Sequence, residues 1–155
     1  MSINPYKIIL KSKIVNGFKS LSNGNYKRLL DLYDDNVHQI FEGSHALAGE
    51  RFTKAGVELW FQRFIRLLPS KFELKDFIIS GGPWNTDVVF EFEDNVTPAF
   101  GPSYRNHGIL RGKIVWGKAK LIHIYVDTAK VEKALKVLAE NGVEEASAEP
   151  VADPS

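Results

Sequence analysis

The stretch HIYVDTAK, residues 123–130, sets a carboxylate, Asp127, at the end of an alternating apolar run and directly before a helical pattern. An acid in that place has two uses. It can cap the helix that starts at Thr128 by accepting a backbone N–H. Inside an apolar pocket it would instead be poorly solvated, its pKa would rise, and once ionised it could take a proton from the carbon beside a carbonyl. Period-two alternation groups His123, Tyr125 and Asp127 on one face and Ile122, Ile124 and Val126 on the other. That pattern alone leaves open which face is inside.

Other residues capable of chemistry are sparse. His38 lies in VHQIF (37–41), where alternation does not settle its face, and His45 lies in the Gly- and Ser-bearing stretch EGSHALAG (42–49). His45 can fix its loop through a backbone hydrogen bond or stand at a pocket. The four histidines show no HxH, HxxH or HExxH spacing, so no metal site is expected. No GxSxG, GxGxxG or GxxxxGK[ST] occurs, so neither a serine nucleophile nor a bound dinucleotide or nucleoside triphosphate is implied, and no cofactor is expected.

The elements that must position these groups follow from periodicity. Apolar residues at helical spacing run from Ser12 to Leu21 and from Tyr26 to Tyr33, separated by SNGN (22–25). Residues 54–68 make an amphipathic helix with Val57, Trp60, Phe61, Phe64 and Leu68 on one side, Thr53 as cap and Pro69 as stop. Trp60 and Phe64, four apart, can build the core or line a pocket. Strands are expected at 37–41, 72–80, 87–94, 103–116 and 121–127, the last two forming a hairpin through GKAK (117–120). A final helix spans Thr128 to Glu140 and stops near Asn141-Gly142. One domain, residues 1–142, is expected, with the acidic stretch 143–155 as an unstructured tail.

With 155 residues, 44% hydrophobic, the chain can bury a substantial core, and ten Phe, five Tyr and three Trp supply its bulk. Its formal net charge is +1 and its lysines and arginines are dispersed, so no nucleic-acid partner is expected. No cysteine is present, which excludes disulfides and thiolate chemistry. No run of eighteen apolar residues and no secretory pattern at MSINPYKIILKSK occurs, so no membrane partner and a cytoplasmic location are expected.

The order helices, strand, helix, four strands and a closing helix implies an α+β fold. In that fold a curved mixed or antiparallel sheet wraps around the N-terminal helices and the long helix, leaving a cone-shaped body with an apolar cavity at its open end. NYKRLLDLYDDNV (25–37), FEGSHALAGERF (41–52), LLP (67–69), YRNHG (104–108) and IHIYVDT (122–128) resemble, in order and spacing, the nuclear-transport-factor-2-like superfamily, nearest its SnoaL-like polyketide cyclase and ketosteroid-isomerase-related branch. The resemblance spans residues 12–135. It implies that Asp127, Tyr104 and Asn106 face the cavity, that Tyr125 turns inward with Asp127, and that His45 stands near the pocket mouth.

The resemblance also implies a small apolar ligand of carbonyl, polyketide or steroid type and a homodimer. Asp127, Tyr104 and His45 are then the catalytic candidates, with Asp127 as base and Tyr104, Asn106 or His45 donating to an enolate. Asn106, Tyr125, Trp60, Phe64 and His38 are the ligand-binding candidates. The outer sheet face carrying Arg105, His107, Ile109, Arg111 and Val115 is the expected dimer surface. The expected activity is cofactor-free proton transfer of isomerase or cyclase type, and the alternative is a non-catalytic ligand-binding or dimerising module on the same fold.

Overall fold

The computed structural model describes residues 4–155. Helix α1 (Pro5–Ser22) begins earlier than its apolar spacing alone implies, because Asn4 accepts the backbone N–H of Lys7 and Pro5 occupies the first turn, where a missing N–H costs nothing. Helix α2 (Lys27–Leu30) is a single turn. The expected helix through Tyr33 stops short because Tyr33 opens strand β1 (Tyr33–Phe41) and pairs with Ala119. A short β2 (Gly49–Arg51) returns beside β1, and α3 (Lys54–Leu67) follows with Thr53 as its cap.

Four long strands come next: β3 (Ser70–Gly82), β4 (Asn85–Val96), β5 (Tyr104–Val115) and β6 (Lys118–Val126). Helix α4 (Thr128–Glu140) and a short 3-10 turn (Glu144–Ser147) end the fold. The sheet order is β2-β1-β6-β5-β4-β3, with β1 and β6 parallel and every other pair antiparallel. The expected α+β architecture, a curved mixed sheet over α1 and α3, is the observed one.

Alternation sets the inner face. In β4, Val88, Phe90, Phe92, Asp94 and Val96 are all buried, and in β6 Ile122, Ile124 and Val126 turn inward. Strand β3 switches parity midway: Phe72 and Leu74 face in, then Phe77 and Ile79. One extra residue near Asp76, whose φ is 56°, bulges the strand and lets it curl over α1. Aromatic rings fill the cone. Trp60 stacks on Phe64 at 5.2 Å, Phe18 meets Phe72 edge-on at 5.3 Å, and Phe77 stacks on Phe90 at 4.7 Å.

Residues 143–155 are not the unstructured tail expected from their composition. Four polar anchors hold them. Asp153 accepts from the backbone N–H of Phe52 (2.9 Å) and of Thr53 (3.0 Å) and from the Thr53 hydroxyl (2.6 Å), at the start of α3. Arg63 donates to the Glu149 carbonyl at 2.7 Å, and Arg66 forms a two-pronged pair with Glu145 at 2.9 Å. The fourth anchor, Arg51, is fully buried and gives its protons to the side-chain oxygen of Gln39 and to the carbonyls of Ala48, Gly49 and Val151. Burial lowers its pKa to about 10, opposed by the charge of Asp153, so it stays a cation at neutral pH. Low hydrophobicity misled the sequence reading because these contacts are made by backbone and charge.

Candidate functional site

Helix α4 lies across the open end of the cone with Val131, Ala134, Leu135 and Leu138 buried beneath it. Asp127 starts this helix. Its side chain is exposed and accepts the Ala129 N–H at 3.2 Å, the geometry of a helix cap, so the expected inward placement is corrected. The apolar residues of β6 claim the inner face, which turns the alternate set outward. Tyr125 goes with them: it is exposed, stacked on His123 at 4.1 Å, and lines no interior cavity. His38 is likewise outward, stacked on Phe52 and 3.2 Å from Glu50, and borders no interior cavity.

Trp60 and Phe64 are core residues. The indole N–H donates to the Leu47 carbonyl at 2.7 Å, and both rings border a closed interior gap of about 40 Å³, too small for an organic ligand. His45 accepts the Leu47 N–H on Nδ1 at 3.1 Å, which puts its own proton on Nε2, a buried donor without a partner. Burial pushes its pKa down, opposed by Glu132. It lines a wide cleft of about 760 Å³ between loop 43–49, Glu132 and Lys136 of α4, and residues 146–150.

Tyr104 and Asn106 do face inward, as the resemblance implies. Asn106 bonds to backbone through both amide atoms: its Nδ2 donates to the Asp127 carbonyl at 3.1 Å, and its Oδ1 accepts from the N–H of His107 (2.8 Å) and Asp127 (3.2 Å). It pins β5 to the end of β6, with one Nδ2 proton to spare.

Tyr104 is different. Its hydroxyl is buried without a partner, and the acid that accompanies it is Asp94, which was not among the sequence candidates. In the β4–β5 register Asp94 opposes Asn106 and Val96 opposes Tyr104. The two are therefore diagonal neighbours on one face, roughly 7–8 Å apart at the backbone. Asp94 is 7% exposed and its Oδ1 has no partner. Burial raises its pKa to about 6, with its own backbone N–H and Lys130 pulling the other way. Burial and the nearby Asp94 charge also push the Tyr104 phenol well above its usual range, so it keeps its proton. The signal for Asp94 was present in DVVFEFEDNV: it shares parity with Val88, Phe90, Phe92 and Val96.

The Tyr104 side opens on a cavity of about 210 Å³ between loop 98–102 and α4, bordered by Phe100, Pro102, Val137, Lys130 and Lys133. Gly101 permits the close approach of that loop: at φ 88°, a Cβ there would press on Val137. Gly108 does the same deeper in, where the Phe92 ring lies over the bare backbone beside Asn106 and Asp94. Helix α4 thus divides the open end, with the Tyr104 cavity on one flank and the His45 cleft on the other. No group of three or more potential metal ligands occurs among the described residues.

No family model and no curated protein matches the chain. Solved structures do. TerC, described as co-crystallized with polyporic acid, superposes with a TM-score of 0.70 at 17% identity over 82% of this chain and 98% of its own. An NTF2-like protein of unknown function from Burkholderia pseudomallei gives 0.68 at 15% identity over 81% of this chain and 95% of its own. A putative polyketide cyclase from Pseudomonas putida gives 0.53 at 16% identity over 72% and 86%. Identities this low carry architecture and not activity. The open six-stranded cone over α1 and α3, closed by α4, is the fold that these NTF2-like structures share with this chain.

Proposed function

We propose that this protein binds a small, mainly apolar molecule bearing a carbonyl oxygen in the cavity beside Tyr104, and that Asp94 and Tyr104 move a proton on it without a cofactor, as in an isomerase or cyclase of SnoaL-like type. One observation carries the reading: two buried oxygens, on neighbouring strands and on the same face, lack partners, and such atoms are rare unless something else satisfies them. Asp94 supplies the base. A carboxyl titrating at about 6 is largely ionised at neutral pH yet basic enough to accept a carbon-bound proton next to a carbonyl, and it can return that proton afterwards. Tyr104, held protonated, donates to the oxygen on which enolate charge develops. TerC, of similar fold and described as co-crystallized with polyporic acid, supports a small organic ligand for this architecture.

The test is deuterium exchange at the α-carbon of 2-tetralone, followed by proton NMR with protein in D2O. Asp94→Asn should abolish the protein-dependent exchange, and Tyr104→Phe should slow it by about 10²-fold. Exchange at the buffer rate with wild-type protein would defeat the catalytic reading.

A second reading, a non-catalytic binding or dimerising module, is favoured by the filled cone: its two interior gaps are about 40 Å³ each. The outer sheet face fits a dimer in this reading and in the first. Ile78, Ile109 and Tyr125 are exposed on it, with acids Glu91 and Glu93 on β4 and bases Arg105 and Arg111 on β5. A two-fold axis there would set acid against base. No described helix is long and apolar enough to cross a membrane, and a cytoplasmic location is part of this proposal.

A further inference from the structure

From the walls of the Tyr104 cavity we infer that its ligand is an anion: a carboxylic acid on one or two fused rings, its carboxylate held by Lys130 and Lys133. This rests on the proposed reading of the cavity as a binding site and names the class of molecule it takes.

The cavity has one apolar side and one cationic side. Phe100, Pro102 and Val137 offer flat and aliphatic surface, while Lys130 and Lys133, three apart on α4, border the same space together with Tyr104. Neither lysine lies within 4.0 Å of an acid among the described residues, whereas Lys75, Arg105 and His107 surround Glu93, Lys113 meets Asp87 and Lys120 meets Asp34. The Lys130 ammonium is held at 2.8 Å by the Arg105 carbonyl, which fixes its position at the cavity edge without neutralising it. The acids of helix α4 and its cap are engaged elsewhere: Asp127 accepts the Ala129 N–H, Glu132 borders the His45 cleft and Glu140 approaches Lys136. Asp94, on the neighbouring strand, is not among the residues that line the cavity. A volume of about 210 Å³ lies below the ~300–1,000 Å³ of sites for drug-sized ligands, which limits the ring system to one or two rings. Seated so, the ring rests on Phe100 and Val137, the carboxylate points outward to the two ammonium groups, and the oxygenated or acidic carbon centre points inward to Tyr104 and Asp94.

A matched pair of probes decides it: 2-naphthoate and 2-acetylnaphthalene, which share a ring and differ in charge, titrated into isotope-labelled protein and followed at Phe100, Tyr104 and Val137 by NMR. The inference expects the acid to bind about tenfold more tightly than the ketone, a preference that shrinks at high salt. In Lys130→Gln/Lys133→Gln the ratio should fall to about one, and Lys130→Arg/Lys133→Arg should restore it. Both substitutions are at exposed positions, and an unchanged amide spectrum confirms that each variant folds. Equal affinity for the two probes, or a ratio untouched by the glutamines, overturns the anion inference while leaving the cavity a binding site. If neither probe shifts the cavity resonances, both the inference and the reading beneath it fall.

Discussion

Asp94 and Tyr104 sit diagonally across the β4–β5 pair, both pointing into the cone, and each buries an oxygen that no other described group satisfies. Their neighbour Asn106, opposite Asp94, bonds through both amide atoms to the backbone of His107 and Asp127. Adjacent polar residues on one face thus divide the work: one holds the strands together and two remain available.

That availability has a measurable cost. The Asp94 carboxyl goes from the ordinary 3.8 to about 6 on folding. A raised carboxyl pKa gives stability that is complete below 3.8 and lost as pH rises through about 6, and the gap corresponds to roughly 3 kcal/mol. Asp94→Asn should therefore stabilise the protein by about 2–3 kcal/mol at pH 7.5 and by little at pH 4. Denaturant melts at the two pH values check this, and equal effects at both would remove the strain argument.

Asp127 should behave as a cap and nothing more. Asp127→Asn is expected to leave stability within about 0.5 kcal/mol and tetralone exchange intact, whereas Asp127→Ala should cost about 1 kcal/mol. Loss of exchange in the asparagine variant would return this residue to the chemistry.

Trp60 and Phe64 should report on packing. Phe64→Ala is expected to destabilise by about 3–5 kcal/mol, because its ring stacks on Trp60 and its loss opens a cavity in a closed interior. Naphthoate affinity, measured well below the melting temperature, should stay within about twofold. A large loss of affinity with an intact fold would mean that the ligand enters the deep cone.

The C-terminal strap is expected to depend on Asp153. Burial tends to raise its pKa, but the Thr53 hydroxyl and the N–H groups of Phe52 and Thr53 outweigh that and leave it below the usual range. The stability it contributes is thus present above pH 4 and is lost as pH falls through its folded value. Protection of the amides of residues 144–153, taken relative to their intrinsic exchange rates, should fall at low pH in wild type and already at pH 7 in Asp153→Ala. Unchanged protection in that variant would show that Arg51, Arg63 and Arg66 hold the strap alone.

Much of this architecture was legible in residue spacing. The period of α3, the alternation of β4 and β6 and the Asn141-Gly142 stop all lie where the sequence puts them. Tyr104 was legible as an inward residue, although through resemblance and not through its own pattern. Asp94 was overlooked because an acid ending an apolar strand looks like the start of a loop, although its parity with Phe90 and Phe92 marked it as buried. Asp127 misled for the opposite reason: helix caps and catalytic acids occupy the same kind of junction, and only the burial of Ile122 and Ile124 decides which face is inside. The bulge at Asp76 and the anchoring of residues 143–155 could not be seen, since both rest on backbone geometry and on contacts between residues far apart in the chain.

The most direct test is the titration of the Asp94 side-chain carbon by ¹³C NMR, with and without 2-tetralone. The account predicts an inflection near pH 6 in the free protein, displaced when the ketone is present. An inflection near pH 4 that the ketone does not move would contradict it.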